Sequence, residues 1–574
     1  MRTVAVGRQN FSAMIENHCF YIDKTDFIRE WWDSCDDVTL ITRPRRFGKT
    51  LTMSMTEQFF SAEYAKRNEL FENLSIWKEE KYRRLQGTYP VIFLSFAKAK
   101  GTSFETVRKM ICYEIVRVFL QNRFLLEGDL LAPQEKDFFA RVSAVMDDAD
   151  ASESVSQLCR YLYYYYGKKT IILLDEYDTP MHEAYVNGYW KEMSDFIRGF
   201  FHAAFKTNPY LERAIMTGIT RVSRESVFSD LNNLQVVPVT SSMYHTVFGF
   251  TEDEVKSALT EYGMQDKMPE VKQWYDGFQF GNCHNIYNPW SITKFLKEKK
   301  FTTYWANTSS NALIGKLIRE GSFEIKTAVE DLLQGKTYQT AADTEIVFSD
   351  LDDSESAIWG LLLAGGYVKA VEEVVADSDM GDEGLEYKLA LTNKEIVLLF
   401  RKMVHGWFSD KECGYRSFLK ALLEGDLKGM NEFMNRVALA TVSMFDTGNR
   451  PSEQAEPERF YHGFVLGLIV DLRKRYVVTS NRESGFGRYD VLMKPLSDKD
   501  DAVIMEFKVS DPEHEKNLSD TAKAALWQVL DRRYAAGMEA EGMPKEKIRI
   551  YGFAFRGKKV LIDGGYLKDF MPLG

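Results

Sequence analysis

Short apolar runs punctuate a chain whose remaining hydrophobic positions recur mainly at helical spacing. Residues 38–41 (Val-Thr-Leu-Ile), 90–96 (Pro-Val-Ile-Phe-Leu-Ser-Phe), 170–174 (Thr-Ile-Ile-Leu-Leu) and 213–220 (Arg-Ala-Ile-Met-Thr-Gly-Ile-Thr) have the length and composition of strands buried on both faces. Residues 27–32 and 53–60 read as helices, and 103–166 as a charged, all-helical insertion longer than one crossover needs. Strands separated by helices predict a doubly wound α/β domain. Further on, residues 358–367 predict a packed helix stopped by glycines, 371–386 an acidic turn or hairpin, and 393–407 and 430–444 two more helices. These make 312–450 a helical connector, with 452–457 (Ser-Glu-Gln-Ala-Glu-Pro) as linker. The last segment predicts an amphipathic helix over 458–469, a glycine-containing turn over 481–488, and a strand over 489–493. A polar turn at 497–501 leads to a returning strand over 502–509 and a helix over 522–534.

At 574 residues the chain is too long for one core, so several domains are expected. With 45% hydrophobic and 27% charged residues it is neither disordered nor fibrous. A net charge of −11 supplies no global attraction for nucleic acid, so any such binding needs a local basic surface. The cysteines (19, 35, 112, 159, 283 and 413) are scattered without a Cys-x-x-Cys pair, which argues against a zinc site and suits a reducing compartment. The first residues lack the apolar core of a signal peptide, and no apolar run approaches a membrane span. A cytoplasmic location without membrane association is expected.

The first predicted strand runs into Arg43-Pro44-Arg45-Arg46-Phe47-Gly48-Lys49-Thr50, and a helix follows. Strand, loop and helix with Gly-Lys-Thr at the mouth is the layout of a phosphate-binding loop. Amides at the helix start face the anion, a lysine reaches the outer phosphates and a hydroxyl ligates magnesium. The customary first glycine is replaced here by Arg43, and a basic loop before an ordinary helix is the alternative. The third strand ends in Asp175-Glu176, at the sheet edge where ligands bind. There one acid can hold the metal while the next polarises water. Thr217, in the fourth strand, would sit where a polar residue could contact the outer phosphate. Arg221 or Arg224 could stabilise charge there, or each could be a solvated surface residue.

In the last segment, alternation puts Glu506 and Lys508 on one face of a strand and Phe507 in the core, and the hairpin brings Asp490 alongside. Two acids can hold a divalent metal, while the lysine orients water and offsets charge on a phosphate. Gln528 on the following helix could position the lysine or the scissile strand. Glu-x-Lys alone is also what a surface ion pair looks like. Arg482, Arg488, Arg532 and Arg533 could form the local phosphate-binding surface, or be ordinary exposed arginines. His462 and His514 read as structural or exposed, and the tyrosines at 161 and 163–166 as helix packing.

The loop, Asp175-Glu176-Tyr177-Asp178 and Thr217-Gly218-Ile219-Thr220 resemble the AAA-ATPase-like family of bacterial proteins over roughly residues 1–310. So do Tyr21-Ile22-Asp23-Lys24, Phe228-Ser229-Asp230-Leu231-Asn232-Asn233, Trp274-Tyr275-Asp276-Gly277 and Tyr287-Asn288-Pro289-Trp290-Ser291. In that family Arg-Pro-Arg-Arg commonly stands where the first loop glycine would be. The resemblance implies an ATP site built from residues 43–50, Asp175, Thr217 and Arg221, with Thr50 and Asp175 on Mg²⁺ and Glu176 catalytic. The C-terminal segment resembles the PD-(D/E)xK nuclease superfamily, in the branch commonly fused to this ATPase-like domain. That resemblance implies Asp490 and Glu506 as ligands of Mg²⁺ or Mn²⁺, Lys508 as catalytic lysine, Glu458 as auxiliary acid and Gln528 in support.

The expected organisation is a P-loop domain (1–248), its helical lid (249–311), the helical connector (312–450) and a small α/β nuclease-like domain (451–574). The expected activity is ATP binding and hydrolysis in a protein that also carries a metal-dependent nuclease domain cleaving nucleic acid, with DNA as the partner and a homo-oligomer as a possible assembly. The alternative is a nucleotide-switched module that binds nucleic acid or protein and does not cut.

Overall fold

The computed structural model describes the chain except residues 222–227, 229–230, 307–311, 321, 343–350, 352–353, 377–383, 408–414, 443–464, 466–468, 470–471, 473–474, 485–486, 511–514, 516, 557–558 and 571–574. Some further side chains within helices and strands, those of Arg482 and Arg488 among them, also lie outside the description. The chain divides into two units. The first comprises residues 1–317 and 335–399, the second residues 318–334 and 400–574.

The first unit is built on a parallel sheet of β1 (Val38–Thr42), β2 (Val91–Ser95), β3 (Thr170–Asp175), β4 (Leu211–Gly218) and β5 (Leu234–Val237), in the order β2-β3-β4-β1-β5. β1 and β3 are buried at every position, which is why they read as unbroken apolar runs. The expected insertion is helical among the described residues, with helices Phe104–Gln121, Pro133–Arg141 and Asp148–Tyr166.

Residues 249–311 hold helices Glu252–Glu261, Met268–Tyr275 and Pro289–Glu298, together with a hairpin of β6 (Phe278–Phe280) and β7 (Cys283–Ile286). Their own core gathers Val255, Leu259, Tyr275, Tyr287, Ile292 and Phe295. Gly277 (φ 111°) requires glycine, because a Cβ there would stand 2.1 Å from the Thr392 carbonyl oxygen.

The stretch 312–450, expected to be helical, is mixed. Helices Glu355–Ala364, Lys394–Trp407 and Leu427–Val442 are present, but so is an antiparallel sheet in the order β8 (Tyr338–Ala341), β10 (Gly384–Leu391), β9 (Val368–Ala376). Of the acidic turn or hairpin expected at 371–386, residues 371–376 and 384–386 belong to the β9–β10 strand pair, and 377–383 lie outside the described residues. The stretch is also shared between the two units rather than forming a body of its own.

The second unit carries the sheet β11 (Tyr476–Ser484), β12 (Gly487–Pro495), β13 (Ala502–Val509), β14 (Ile548–Arg556) and β15 (Lys559–Tyr566), in sequence order with only β13 and β14 parallel. Strand alternation sorts β13 between two cores. Val503, Met505 and Phe507 join one with Phe418, Met430 and Phe553, while Ala502 and Ile504 join the other with Leu526 and Val529 of helix Leu518–Asp531. Asn431 and Asn435, one helical turn apart, each exchange two hydrogen bonds with the edge strand β15, at Ile562 and Val560. They satisfy backbone groups that would otherwise be an open strand edge. Among the described residues no helix is long and apolar enough to cross a membrane.

Candidate functional sites

The carboxyl end of β1 opens into the basic loop, and Gly48 (φ 88°) turns it into helix Lys49–Phe60, whose first amides are free of intrahelical acceptors. A cavity of about 570 Å³ lies over this helix start, lined by Arg45, Arg46, Gly48, Lys49 and Thr50 with Lys100, Glu176, Asp178 and His182. Its far wall is aromatic and aliphatic, with Phe20, Tyr21, Ile22, Phe250 and Trp290.

The Thr50 hydroxyl donates to Asp175 Oδ2 at 2.7 Å, and the Thr217 hydroxyl donates to Oδ1 of the same carboxylate at 2.6 Å. Two sequence-predicted hydroxyls therefore converge on one buried acid, itself predicted, and the three residues come from three elements. Lys49 Nζ donates to the carbonyls of Arg43 and Pro44 at 2.8 and 2.9 Å, and burial lowers its pKa against the pull of Glu176, Asp178 and Asp175. Glu176 has left-handed backbone (φ 51°), a strained conformation for a non-glycine residue, and burial together with Asp175 raises its pKa. Arg221 follows β4 and is buried at 8% exposure.

Arg43 does not face this cavity. Its side chain is fully buried, and its guanidinium donates to the carbonyls of Thr42, Val237 and Pro238 through Nη1 and of Met243 through Nη2, at 2.8–3.1 Å. It stacks 4.7 Å from the Phe280 ring centroid, and burial lowers its pKa to about 9. The arginine in the place of the first loop glycine is a strut that ties β1 to the end of β5. Carbonyl acceptors, abundant where two parallel strands end, draw it inward. Phe47 lines the cavity yet is an anchor, 1% exposed and packed edge-on against Phe278 and Phe280. Pro44 lines a separate small cleft with Phe278 and Gly366. Of the basic residues in the loop, Arg45, Arg46 and Lys49 remain on the cavity.

Asp178, the last residue of the Asp175–Asp178 motif, has no role that its sequence position alone assigns. It is buried, which by itself would raise its carboxyl; His182 and the amides of Ile219 and Thr220 outweigh this and hold it down at about 2. Its Oδ2 accepts from Ile219 N at 2.7 Å and Thr220 N at 3.1 Å, so it fixes the backbone just beyond Thr217. An acid three residues beyond Asp175, with a hydroxyl-rich strand end elsewhere, was the available signal. The aromatic motifs also act on the loop: the Arg45 carbonyl accepts from Trp305 Nε1 at 2.8 Å and Asn288 Nδ2 at 3.4 Å, and Arg46 stacks 4.5 Å over Trp290.

In the second unit, β12 and β13 pair with Val491 opposite Met505, which sets Asp490 beside Glu506. Phe507 N donates to Asp490 Oδ2 at 2.8 Å, and Asp490 N to Glu506 Oε2 at 3.3 Å. Glu506 is 3% exposed, and Gln528 donates to its Oε1. Gln528 also lies 3.3 Å from the Tyr534 hydroxyl, a neighbour sequence reasoning missed. Helix Leu518–Asp531 can approach because Gly552 stands opposite Glu506 on β14, where a Cβ would come within 2.4 Å of the Ala522 carbonyl oxygen. Burial pushes Asp490 up to about 6, against the Phe507 amide and Lys508. Lys508 is half-buried on the same side of β13 as Glu506. Glu458, His462 and His514 lie outside the described residues.

Comparison with known proteins matches two regions of the chain to families. Residues 5–228 match the family model described as a predicted AAA-ATPase, and residues 456–564 that of the PD-(D/E)XK nuclease superfamily. The chain therefore carries an AAA-ATPase-like domain and a C-terminal PD-(D/E)XK superfamily domain. Among curated proteins it is similar to the "uncharacterized protein in vnfD 5′region" of Azotobacter chroococcum mcd 1, 23% identical over 568 residues and 96% of each chain. A solved structure from Pyrococcus horikoshii, a signal transduction ATPase with numerous domains carrying a tetratricopeptide repeat sensor, matches at 11% identity with a TM-score of 0.24. The match covers 79% of this chain and about half (54%) of that one.

Proposed function

We propose that the chain binds and hydrolyses ATP in the cavity above Lys49 and cleaves nucleic acid, DNA in the first instance, at the Asp490–Glu506 site. The observation that carries the nucleotide reading is the Thr50–Asp175–Thr217 cluster beside a helix start whose amides face a cavity of about 570 Å³. The donor set fits Mg²⁺, a hard cation that takes oxygen ligands and phosphate. Thr50 and Asp175 would hold it, and when bound it neutralises charge between the outer phosphates. Lys49 and the first helix amides bind those phosphates. Thr217 fixes the orientation of the Asp175 carboxylate, and Glu176 takes the proton of the attacking water.

At the second site the paired carboxylates fit Mg²⁺ or Mn²⁺, since a buried carboxyl raised by desolvation is an environment that a cation relieves. Asp490 and Glu506 would hold the ion, which supplies Lewis-acid charge to the scissile phosphate. Lys508 offsets charge developing on that phosphate, and Gln528 holds Glu506 in its ligating orientation.

Each arm has its own test. Glu176→Gln should bind ATP about as well as wild type and release phosphate at least ~100-fold more slowly. Isothermal titration with Mn²⁺ should give binding that Asp490→Asn weakens at least ~10-fold. Unchanged hydrolysis in the first variant, or unchanged Mn²⁺ binding in the second, overturns the corresponding assignment.

A further inference from the structure

Trp527 stands immediately before Gln528 on helix Leu518–Asp531, and it is 69% exposed. The helix buries Ala522, Ala525, Leu526 and Val529 against the sheet and turns Gln528 toward Glu506. One position back, about 100° round the helix from the residue that bonds Glu506, the indole is left in water. Among the described residues it is the only exposed tryptophan; Trp31, Trp305 and Trp359 are at most 4% exposed and the rest are partly covered. An indole left in water gains nothing for the fold, and this one stands next in the chain to the glutamine that bonds Glu506, on the helix packed over the candidate site, where a ligand would find it.

Its surroundings select the ligand's charge. Lys523 lies one turn earlier on the same stripe and is exposed. Arg532 and Arg533 follow the last turn, both exposed, with Arg533 in left-handed backbone (φ 52°) where the chain leaves the helix. Asp531, one turn later on the stripe and exposed, lies 3.9 Å from Arg532, so three cations and one acid surround the flat aromatic surface; in a protein of net charge −11 this net positive surround suits an anionic polymer with π faces.

We propose that Trp527 is a stacking platform for an unpaired nucleobase of the nucleic-acid strand cut at Asp490, Glu506 and Lys508, with Lys523, Arg532 and Arg533 holding the flanking phosphates. This rests on the nuclease reading above and adds a substrate preference to it. A base must leave the duplex stack to lie on an exposed indole, so single strands, overhangs or frayed ends are favoured over continuous duplex.

The test uses the full chain carrying Lys508→Ala, so that bound strands stay intact, and a 5′-fluorescein-labelled 20-nucleotide mixed-sequence DNA single strand with its blunt duplex as comparison. Anisotropy titrations in Mg²⁺ should show Trp527→Ala weakening single-strand binding roughly 10-fold, Trp527→Phe restoring most of it, and duplex binding moving less than about 2-fold. Quenching of indole emission by the unlabelled strand should be present with Trp527 and lost in Trp527→Phe. A far-ultraviolet circular dichroism melt matching the parent shows that the variants are folded, as expected for an exposed position. Single-strand binding by Trp527→Ala within about 2-fold of the parent overturns the platform. So does an equal loss on single strand and duplex, or a changed sedimentation coefficient with unchanged strand binding, which reassigns Trp527 to a protein interface. Metal-dependent cleavage by the Lys508-intact protein is scored separately: its presence with an inert Trp527 refutes the platform alone, and its absence refutes the nuclease reading on which the platform rests.

Discussion

Replacing Arg43 with glycine would restore the residue that phosphate-binding loops customarily carry, and the structure predicts that this harms the protein. The guanidinium makes hydrogen bonds to four carbonyls in a site without exposure to water. Removing it strands several of those acceptors, at about 1–3 kcal/mol for each one left dry, and leaves a cavity between β1, β5 and the Phe280 ring. Relief from burying a charge offsets part of this, and water entering the space satisfies some carbonyls, so a net loss of about 3–5 kcal/mol is expected. Differential scanning fluorimetry without nucleotide should show Arg43→Gly melting on the order of 5–10 °C below wild type. Titration with a fluorescent ATP analogue should show weaker binding, because the same strut fixes the loop whose carbonyls hold Lys49. Arg43→Lys, which keeps the charge and loses the fork, should fall in between. A variant that melts with wild type and binds ATP as well or better would refute the strut.

Other consequences follow from particular contacts. Burial, against hydrogen bonds from Ser291 and the amides of Trp305 and Ala306, raises Glu395 to about 7. Between pH 4.5 and 7 the native state then holds more protons than the unfolded chain, so this group's stabilisation is full below about 4.5 and is lost as pH rises through 7, about 3 kcal/mol in all. Melting temperatures should therefore fall between pH 5 and 8, less steeply in Glu395→Gln; equal slopes would contradict the assignment. Glu57, also near 7 through burial, has the same sign and leaves a residual slope in that variant. Thr217→Val should keep the fold, release one Asp175 oxygen and lower ATP turnover roughly 10-fold with little change in ATP affinity, read by steady-state phosphate release. Gly277→Ala drives a methyl into the Thr392 carbonyl and should cost about 3 kcal/mol or more, read by denaturant midpoint; a loss under about 1 kcal/mol would show that the backbone yields.

What the sequence reveals depends on how local the physics is. β1, β3 and β4 are legible as apolar runs because a parallel sheet buries both faces of its inner strands; β2, expected to be buried on both faces, is an edge strand buried only at alternate positions although its sequence is as apolar; and Asp175, Glu176 and Thr217 stand out because they lie at the strands' carboxyl ends. β5 is four residues long and half-covered, so Leu234–Val237 gives no comparable run. Arg43 shows the limit plainly: a guanidinium in a basic loop has a known charge but no direction, and only the positions of the Val237, Pro238 and Met243 carbonyls, some 200 residues away, turn it inward. Asp178 escaped a role for the same reason, since its partners Ile219 and Thr220 arrive from another strand. In the second unit, period-2 alternation placed Glu506 and Lys508 together, and the hairpin placed Asp490. The sheet within 338–391 was partly hidden because the sequence between Ala376 and Gly384 is acidic and reads as a turn.

The central claim is that this one chain is a metal-dependent nuclease bearing an ATP site, and strand cleavage tests it most directly. End-labelled single- and double-stranded DNA and RNA would be incubated with purified protein in Mg²⁺ or Mn²⁺, with and without ATP, beside Lys508→Ala prepared identically. The account predicts metal-dependent cutting of DNA by wild type that disappears in Lys508→Ala. Cleavage that survives in Lys508→Ala, or its absence with every substrate, metal and nucleotide, would contradict it.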